Sequence, residues 1–417
     1  MDKIRIAGGR PLHGEVTISG AKNSALPCIA GALLTADVVH LENVPRLVKD
    51  VATMRLLLEH LGCDTQWEGN RLSVQARNVD LFEAPYDMVK TMRASVLVLG
   101  PLVARFGKAV VSLPGGCAIG ARPIDMHLAG LETLGAKIRI EHGYVIATAE
   151  RLIGARYRFP KVSVTGTENL ILAASLAEGE TILENCAKEP EVEDVIRLVR
   201  GMGAQIEGDN SETLRIRGVN SLQGTTHVVI PDRIEAGTFL MAAAVTAGSV
   251  TVKKCVPFHL HAAIEKLREN GCRIETGEDW IRIEAPKHLN PADVETHPYP
   301  QFPTDLQAQY MALMTQADGT SMIYENIFEN RYMHVAELRR MGAHIVIKDH
   351  QAEVHGRTPL SGASVMATDL RASACLLIAG LVADGVTLLQ RVYHIDRGYE
   401  RIEEKLRGLD ADVERIS

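Results

Sequence analysis

The sequence predicts an α/β fold of two similar domains, each made of three small repeated units. Three observations carry that prediction. A helix-end signature, a bulky residue then Gly then Ala or Cys, recurs along the chain. Helices of small and aliphatic residues precede short β-branched strands at the same interval. Only 4% of the residues are aromatic while 46% are hydrophobic, so the core must be aliphatic and alanine-rich.

The units follow in order. The first starts near Asn23, passes through the strand His40-Leu41-Glu42-Asn43 and reaches a helix end at Leu61-Gly62-Cys63. The second starts near Lys90, with the helix Met92-Arg93-Ala94-Ser95-Val96-Leu97 and the end Leu134-Gly135-Ala136. The third starts near Gly166, with Ile182-Leu183-Glu184-Asn185 and Met202-Gly203-Ala204. The fourth starts near Asp232 and ends a helix at Asn270-Gly271-Cys272. The fifth starts near Asp305, with Ile323-Tyr324-Glu325-Asn326 and Met341-Gly342-Ala343. The sixth starts near Asp369, repeats the second unit's helix as Leu370-Arg371-Ala372-Ser373-Ala374-Cys375, and ends on the degenerate Leu409-Asp410-Ala411. Glycine just past a helix takes the left-handed cap, so each signature marks a helix end and a turn into a strand. The spacing, about 65–75 residues, exceeds the 20–50 of solenoids, so these are folded units rather than turns of a superhelix. Helices such as 236–247 are apolar nearly all round, which buries them in a bundle with strands outside. Pro231-Asp232 is a local break between the two sets of three.

Composition excludes several classes. The chain has 417 residues, enough for two or three domains, and carries a net charge of −7 with no long basic run, which argues against nucleic acid as a partner. Seven cysteines, at 28, 63, 117, 186, 255, 272 and 375, are dispersed without paired spacing. That fits a reduced cytoplasmic protein better than a disulfide framework or a zinc site. No metal-ligand motif stands out, and His259-x-His261 reads as a polar helix face. The N-terminus has no apolar signal core, and the longest apolar stretches are about half of what a membrane helix needs, so no membrane partner is expected.

The chemically distinctive stretch is residues 113–127, Leu-Pro-Gly-Gly-Cys-Ala-Ile-Gly-Ala-Arg-Pro-Ile-Asp-Met-His. Gly115, Gly116 and Gly120 permit, and Pro114 and Pro123 bracket, an exposed loop with Cys117 at its tip and Arg122 five residues on. A thiol beside a guanidinium acts as acid, base or nucleophile; an incidental surface cysteine is the alternative.

This loop resembles that of the UDP-N-acetylglucosamine enolpyruvyl transferases, which begin bacterial peptidoglycan synthesis. Ser19-Gly20-Ala21-Lys22-Asn23-Ser24, Lys161-Val162-Ser163-Val164-Thr165-Gly166, Thr304-Asp305-Leu306-Gln307 and Asp396-Arg397-Gly398-Tyr399 extend the likeness along essentially the whole chain. The resemblance implies a two-domain inside-out α/β barrel of six βαβαββ-like units, helices inside and sheets outside. It also implies a discontinuous domain, 1–21 plus 231–417, and a second domain, 22–230, with hinges near Ala21 and Ile230. The implied reaction moves the enolpyruvyl group of phosphoenolpyruvate to the 3′-hydroxyl of UDP-N-acetylglucosamine and releases phosphate. It needs no metal and no other cofactor.

The same resemblance assigns roles. Cys117 is the general acid or forms a covalent adduct, and an epoxide phosphonate that mimics phosphoenolpyruvate is expected to alkylate it. Asp305 is the base; Lys22 and Arg397 complete the catalytic set. Lys22, Asn23, Arg122, Arg371 and Arg397 hold phosphoenolpyruvate. The nucleotide sugar is held by Asn23, Arg93, Arg122, Pro123, Ile124, Asp125, Met126, Lys161, Val162, Ser163, Val164, Asp305 and Ile327. Because these residues fall in both sets of units, the implied domains must approach for the reaction. Local chemistry offers plainer readings. Asp232, Asp305 and Asp369 each precede a helix, where Asp is a favoured cap. The resemblance puts Asp50 and Glu191 at acidic positions in or near the cleft, though they read almost as well as solvated acids, and His127 is a structural residue or a phosphate-side helper. A shikimate 3-phosphate transferase, which lacks the Pro-Gly-Gly-Cys loop, and a non-enzymatic repeat scaffold are the rival readings.

Overall fold

A computed structural model describes residues 2–90, 92–113 and 124–417 of the chain. The chain divides into two compact units. One joins the first 19 residues to Pro231–Ser417, and the described residues between Gly20 and Ile230 form the other.

Among the described residues each unit holds three four-stranded sheets. All six sheets share one plan, three antiparallel strands with a parallel strand on one edge. The run Arg156–Arg158, helix Val164–Ala174, strand Glu180–Glu184, helix Pro190–Gly201, strands Gln205–Glu207 and Thr213–Arg217 shows the βαβαββ order. In the 20–230 unit the last strand, Thr226–Val228, lies parallel to Val38–Glu42 of its first sheet. In the other unit the N-terminal strand Lys3–Ala7 pairs with Val386–Gln390 and Asp412–Ile416, and His13–Thr17 lies parallel to Ser249–Lys253.

The recurring signature has a backbone cause. Gly62, Gly135, Gly203, Gly271 and Gly342 all take positive φ, between 92° and 105°, just past their helices. Asp410, in the degenerate sixth copy, takes the same left-handed turn at φ 70°. Aspartate enters this region more readily than most side chains, so the repeat survives the loss of its glycine.

Within each repeat the two helices differ. The first is buried on every side: Ile234 to Val245 are all buried in helix Arg233–Val245, as are Gln307 to Met314 and Arg371 to Gly380. Small residues let these helices approach closely. A Cβ on Gly100 would stand 2.4 Å from Asn169 Oδ1, the atom that accepts from the Gly100 N–H at 2.9 Å. The second helix, such as Lys49–His60, buries one stripe and leaves charged residues outside. Each unit has its own aliphatic core. Among the described residues no helix is long and apolar enough to cross a membrane.

Candidate active site

In the unit that contains residues 231–417, Asp305 lies in a short 3-10 turn, Thr304–Leu306, ahead of the helix Gln307–Met314. Its carboxylate caps neither element. Arg331 Nη2 donates to Oδ1 at 2.7 Å, and Arg371 Nη2 donates to Oδ2 at 2.6 Å. The equivalent aspartates of the neighbouring repeats do cap. Asp232 accepts from the N–H groups of Ile234 and Glu235, and Asp369 from those of Arg371 and Ala372. Of the three equivalent aspartates, Asp305 is the one whose carboxylate does not cap a helix.

The electrostatics at Asp305 follow from this. Partial burial raises its pKa, but the Arg371 and Arg331 guanidiniums outweigh burial and hold the carboxyl well below the usual carboxylate range. About a quarter of its side chain still meets solvent, whereas both arginine side chains are only 6% exposed. The carboxylate is therefore ionised, fixed and reachable.

Around this pair the partners are polar and mutually bonded. Arg331 Nη1 donates to Thr304 Oγ1 at 2.7 Å, and that hydroxyl donates to Glu325 Oε2 at 2.8 Å. The other Glu325 oxygen accepts from the N–H groups of Ile327 and Phe328, which fixes the backbone at Ile327, a residue 37% exposed. Arg371 Nη1 donates to the Tyr399 hydroxyl at 3.3 Å, which shares a 2.9 Å hydrogen bond with Thr238. Arg397 ends the turn Val392–Arg397, and its neighbour Asp396 is gripped by Arg415 at 2.6 Å.

In the 20–230 unit, Lys22 opens the helix Lys22–Gly31, which has no side-chain cap. Uncapped N–H groups and the helix dipole both favour an anion there. Pro27 lies inside this helix, so the Asn23 carbonyl lacks its helical donor. Lys22 Nζ lies 3.3 Å from Asp50 Oδ2, and both side chains are largely buried. Asp50 and Glu191 are 4% and 3% exposed, so the solvated reading of these two acids fails. Glu168, on the buried face of the helix Val164–Ala174, is pushed up by burial and by the nearby Glu191 and Glu189 carboxylates.

Several nucleotide-sugar candidates also lie in this unit. Arg93 begins the 3-10 segment Arg93–Val98. Ile124 is buried, Asp125 is exposed at the start of the helix Asp125–Thr133, and Met126 accepts from the Tyr157 hydroxyl through its carbonyl at 3.2 Å. Lys161 is exposed and Val162 and Val164 are half-buried. Ser163 caps the helix Val164–Ala174, its oxygen accepting from the Gly166 N–H at 3.2 Å, so part of its polar capacity is structural. His127 is buried and bonded on both ring nitrogens, to Asn169 Nδ2 at 3.0 Å and Thr165 Oγ1 at 3.3 Å. Since the Asn169 amide donates, Nδ1 of His127 accepts and Nε2 carries the proton. Burial and the positive Arg93 lower this imidazole to about 4. Cys117, Arg122 and Pro123 lie outside the described residues.

Sequence reasoning missed Arg331. The available signal was physical: a half-buried carboxylate meant to stay ionised needs cations, and Arg371 supplies only one side of it.

The EPSP synthase (3-phosphoshikimate 1-carboxyvinyltransferase) family model matches residues 6–406. The chain is 57% identical over its full length to the UDP-N-acetylglucosamine 1-carboxyvinyltransferase of Koribacter versatilis, covering 97% of that protein. It is 58% identical over its full length to the one from Acidobacterium capsulatum, covering 96% of it. Among solved structures it is similar to the enolpyruvyl transferase NikO from Streptomyces tendae, at TM-score 0.89 and 28% identity over 100% of this chain and 99% of that one. The fold is also that of EPSP synthase from Acinetobacter baumannii, at TM-score 0.75 and 19% identity over all of both chains.

Proposed function

The chain belongs to the family of UDP-N-acetylglucosamine 1-carboxyvinyltransferases, among the enolpyruvyl transferases, and we propose that it carries that family's reaction through Cys117 and Asp305. The reaction moves the enolpyruvyl group of phosphoenolpyruvate to the 3′-hydroxyl of UDP-N-acetylglucosamine and releases phosphate. It supplies a precursor of peptidoglycan in the cytoplasm, and through it serves cell shape and division.

The observation that carries the site reading is the state of Asp305: ionised, part-exposed and relieved of capping, where its repeat equivalents cap. A carboxylate with so low a pKa is a weak base. It suffices because Cys117 first gives a proton to the methylene carbon of phosphoenolpyruvate. The carbon that bears the phosphate ester then becomes strongly electrophilic. As the sugar oxygen bonds to it, the hydroxyl proton turns acidic and passes to Asp305. The Cys117 thiolate then takes back a proton from the new methyl group as the bond between that carbon and the phosphate oxygen breaks, which restores the alkene and releases phosphate.

Lys22, Arg122 and Arg397 hold the carboxylate and phosphate of phosphoenolpyruvate, with Asn23 and Arg371 beside them. Arg93 and Ile327 with residues 122–126 and 161–164 hold the nucleotide sugar. The test is phosphate release from phosphoenolpyruvate with each acceptor in turn. Release with UDP-N-acetylglucosamine and none with shikimate 3-phosphate is expected; the reverse result, or release with neither, overturns the reading.

A further inference from the structure

We infer that Cys28, Asp194 and His227 form a binding site for one thiophilic divalent cation of the zinc class in the 20–230 unit. The three lie far apart in sequence. Cys28 is on the buried helix Lys22–Gly31, Asp194 on the helix Pro190–Gly201 and His227 on the edge strand Thr226–Val228. The fold brings one ligand atom of each within 4.8 Å of the others.

The inner arrangement suits an ion. Asp194 is fully buried, and its two oxygens are used differently. Oδ2 accepts from the Ser24 hydroxyl and from the Ile230 N–H at 3.2 Å. Oδ1 has no hydrogen-bond partner among the described residues, and neither has His227 Nε2. These two atoms stand 3.1 Å apart without the alignment of a hydrogen bond. Nitrogen and oxygen ligands of one tetrahedral zinc ion, each about 2.0–2.1 Å from it, are separated by about 3.3 Å, and a thiolate sulfur at about 2.3 Å by slightly more. The Oδ1–Nε2 gap of 3.1 Å is close to that separation, and the Cys28 sulfur lies within 4.8 Å of both atoms, within reach of side-chain adjustment. Ser24 and Ile230 meanwhile orient the carboxylate from behind, the role outer partners play at metal sites.

Charge and ligand softness point the same way. A thiolate, a carboxylate and a neutral imidazole sum to −2, which one divalent cation neutralises in a buried place. Sulfur and imidazole select zinc-class ions over magnesium or calcium. Binding requires the Cys28 thiol to release its proton to solvent as the sulfur–metal bond forms. His227, with a side chain 10% exposed, is the side from which the ion enters and where water completes the coordination. The ion would pin the helix that begins at Lys22 and Asn23 to its neighbours.

The test is titration of the chelator-treated full chain with cobalt(II). We expect one equivalent to bind, with a sulfur-to-cobalt charge-transfer band and tetrahedral d–d absorption. Cys28→Ala and His227→Gln should each weaken binding about 100-fold or more, beyond the 10–100-fold typical of an outer partner. Cys117→Ser should keep the band. Circular dichroism confirms that each variant is folded. A wild-type chain that shows no thiolate–cobalt band overturns the site whatever the variants do. So does a band that persists in folded Cys28→Ala or disappears in Cys117→Ser.

Discussion

Arg371 Nη2 donates to Asp305 Oδ2 at 2.6 Å, joining residues 66 positions apart, while Arg331 holds the other oxygen. Asp305→Asn therefore tests two things at once. Had Asp305 been a cap, asparagine would replace it almost without loss. Instead the change removes the only base of the proposed mechanism and leaves two nearly buried guanidiniums short of a counter-charge. Turnover should fall roughly 10²–10⁴-fold. Unfolding free energy should drop by about 1–3 kcal/mol, less than the 3–5 of a fully buried pair because part of Asp305 meets solvent. Asp232→Asn, at a true cap, should change stability by only a few tenths of a kcal/mol. Steady-state kinetics and denaturant titration measure both; an Asp305→Asn enzyme of normal turnover sinks the base assignment.

Selective alkylation follows from burial elsewhere. The six cysteines among the described residues are all buried. Burial pushes the thiols of Cys63, Cys186, Cys255 and Cys272 up to about 12 and those of Cys28 and Cys375 well above their ordinary range. They offer neither access nor thiolate near neutral pH. An epoxide phosphonate should add once, at Cys117, and abolish phosphate release, and Cys117→Ala should stay folded but inactive. Peptide mass spectrometry reads the site. Stoichiometric inactivation with the label on any other cysteine contradicts the assignment.

His127 gives the 20–230 unit a pH signature. Its folded pKa of about 4 lies below the ordinary 6.5, so the unfolded chain binds more protons between those values. The stability linked to this histidine is full above about pH 6.5, falls as pH drops toward 4, and amounts to about 3 kcal/mol at most. His127→Gln should flatten that slope. A wild-type imidazole that titrates near 6.5 by NMR would falsify this.

The fold was legible because its repeat rests on local backbone chemistry. A left-handed residue after a helix leaves a glycine in the sequence, and helices buried on all sides leave runs of alanine and leucine. The site was legible only in part. From residue types alone Asp305 could not be told from Asp232 and Asp369, since all three precede helices; what separates them is a pair of arginines from distant segments. Arg331 gave no local sign, and Asp50 and Glu191 stood open between cleft acids and solvated acids until tertiary packing buried them. The Cys28, Asp194 and His227 cluster was invisible for the same reason: ligand spacing in sequence reports only sites built on one local element, and this one draws on three.

Arg415 is the last case in which a distant residue sets a proposed site residue. It lies on the C-terminal strand Asp412–Ile416, and its fork grips Asp396 at 2.6 and 3.2 Å while Nε donates to Glu403 at 2.7 Å. Asp396 immediately precedes Arg397 in the turn Val392–Arg397, so Arg415 fixes the backbone from which Arg397 is proposed to reach phosphoenolpyruvate. Arg415→Met keeps most of the side-chain bulk and removes the fork. The Michaelis constant for phosphoenolpyruvate should rise about 10- to 100-fold, the cost of a misplaced binding group, while that for the nucleotide sugar stays within about twofold. Arg415→Lys should recover part of the loss, since it restores charge but not the two-point grip. If Arg415 only stabilised the turn, Arg415→Met would melt at a lower temperature with the phosphoenolpyruvate constant unchanged, and the positioning role would be excluded.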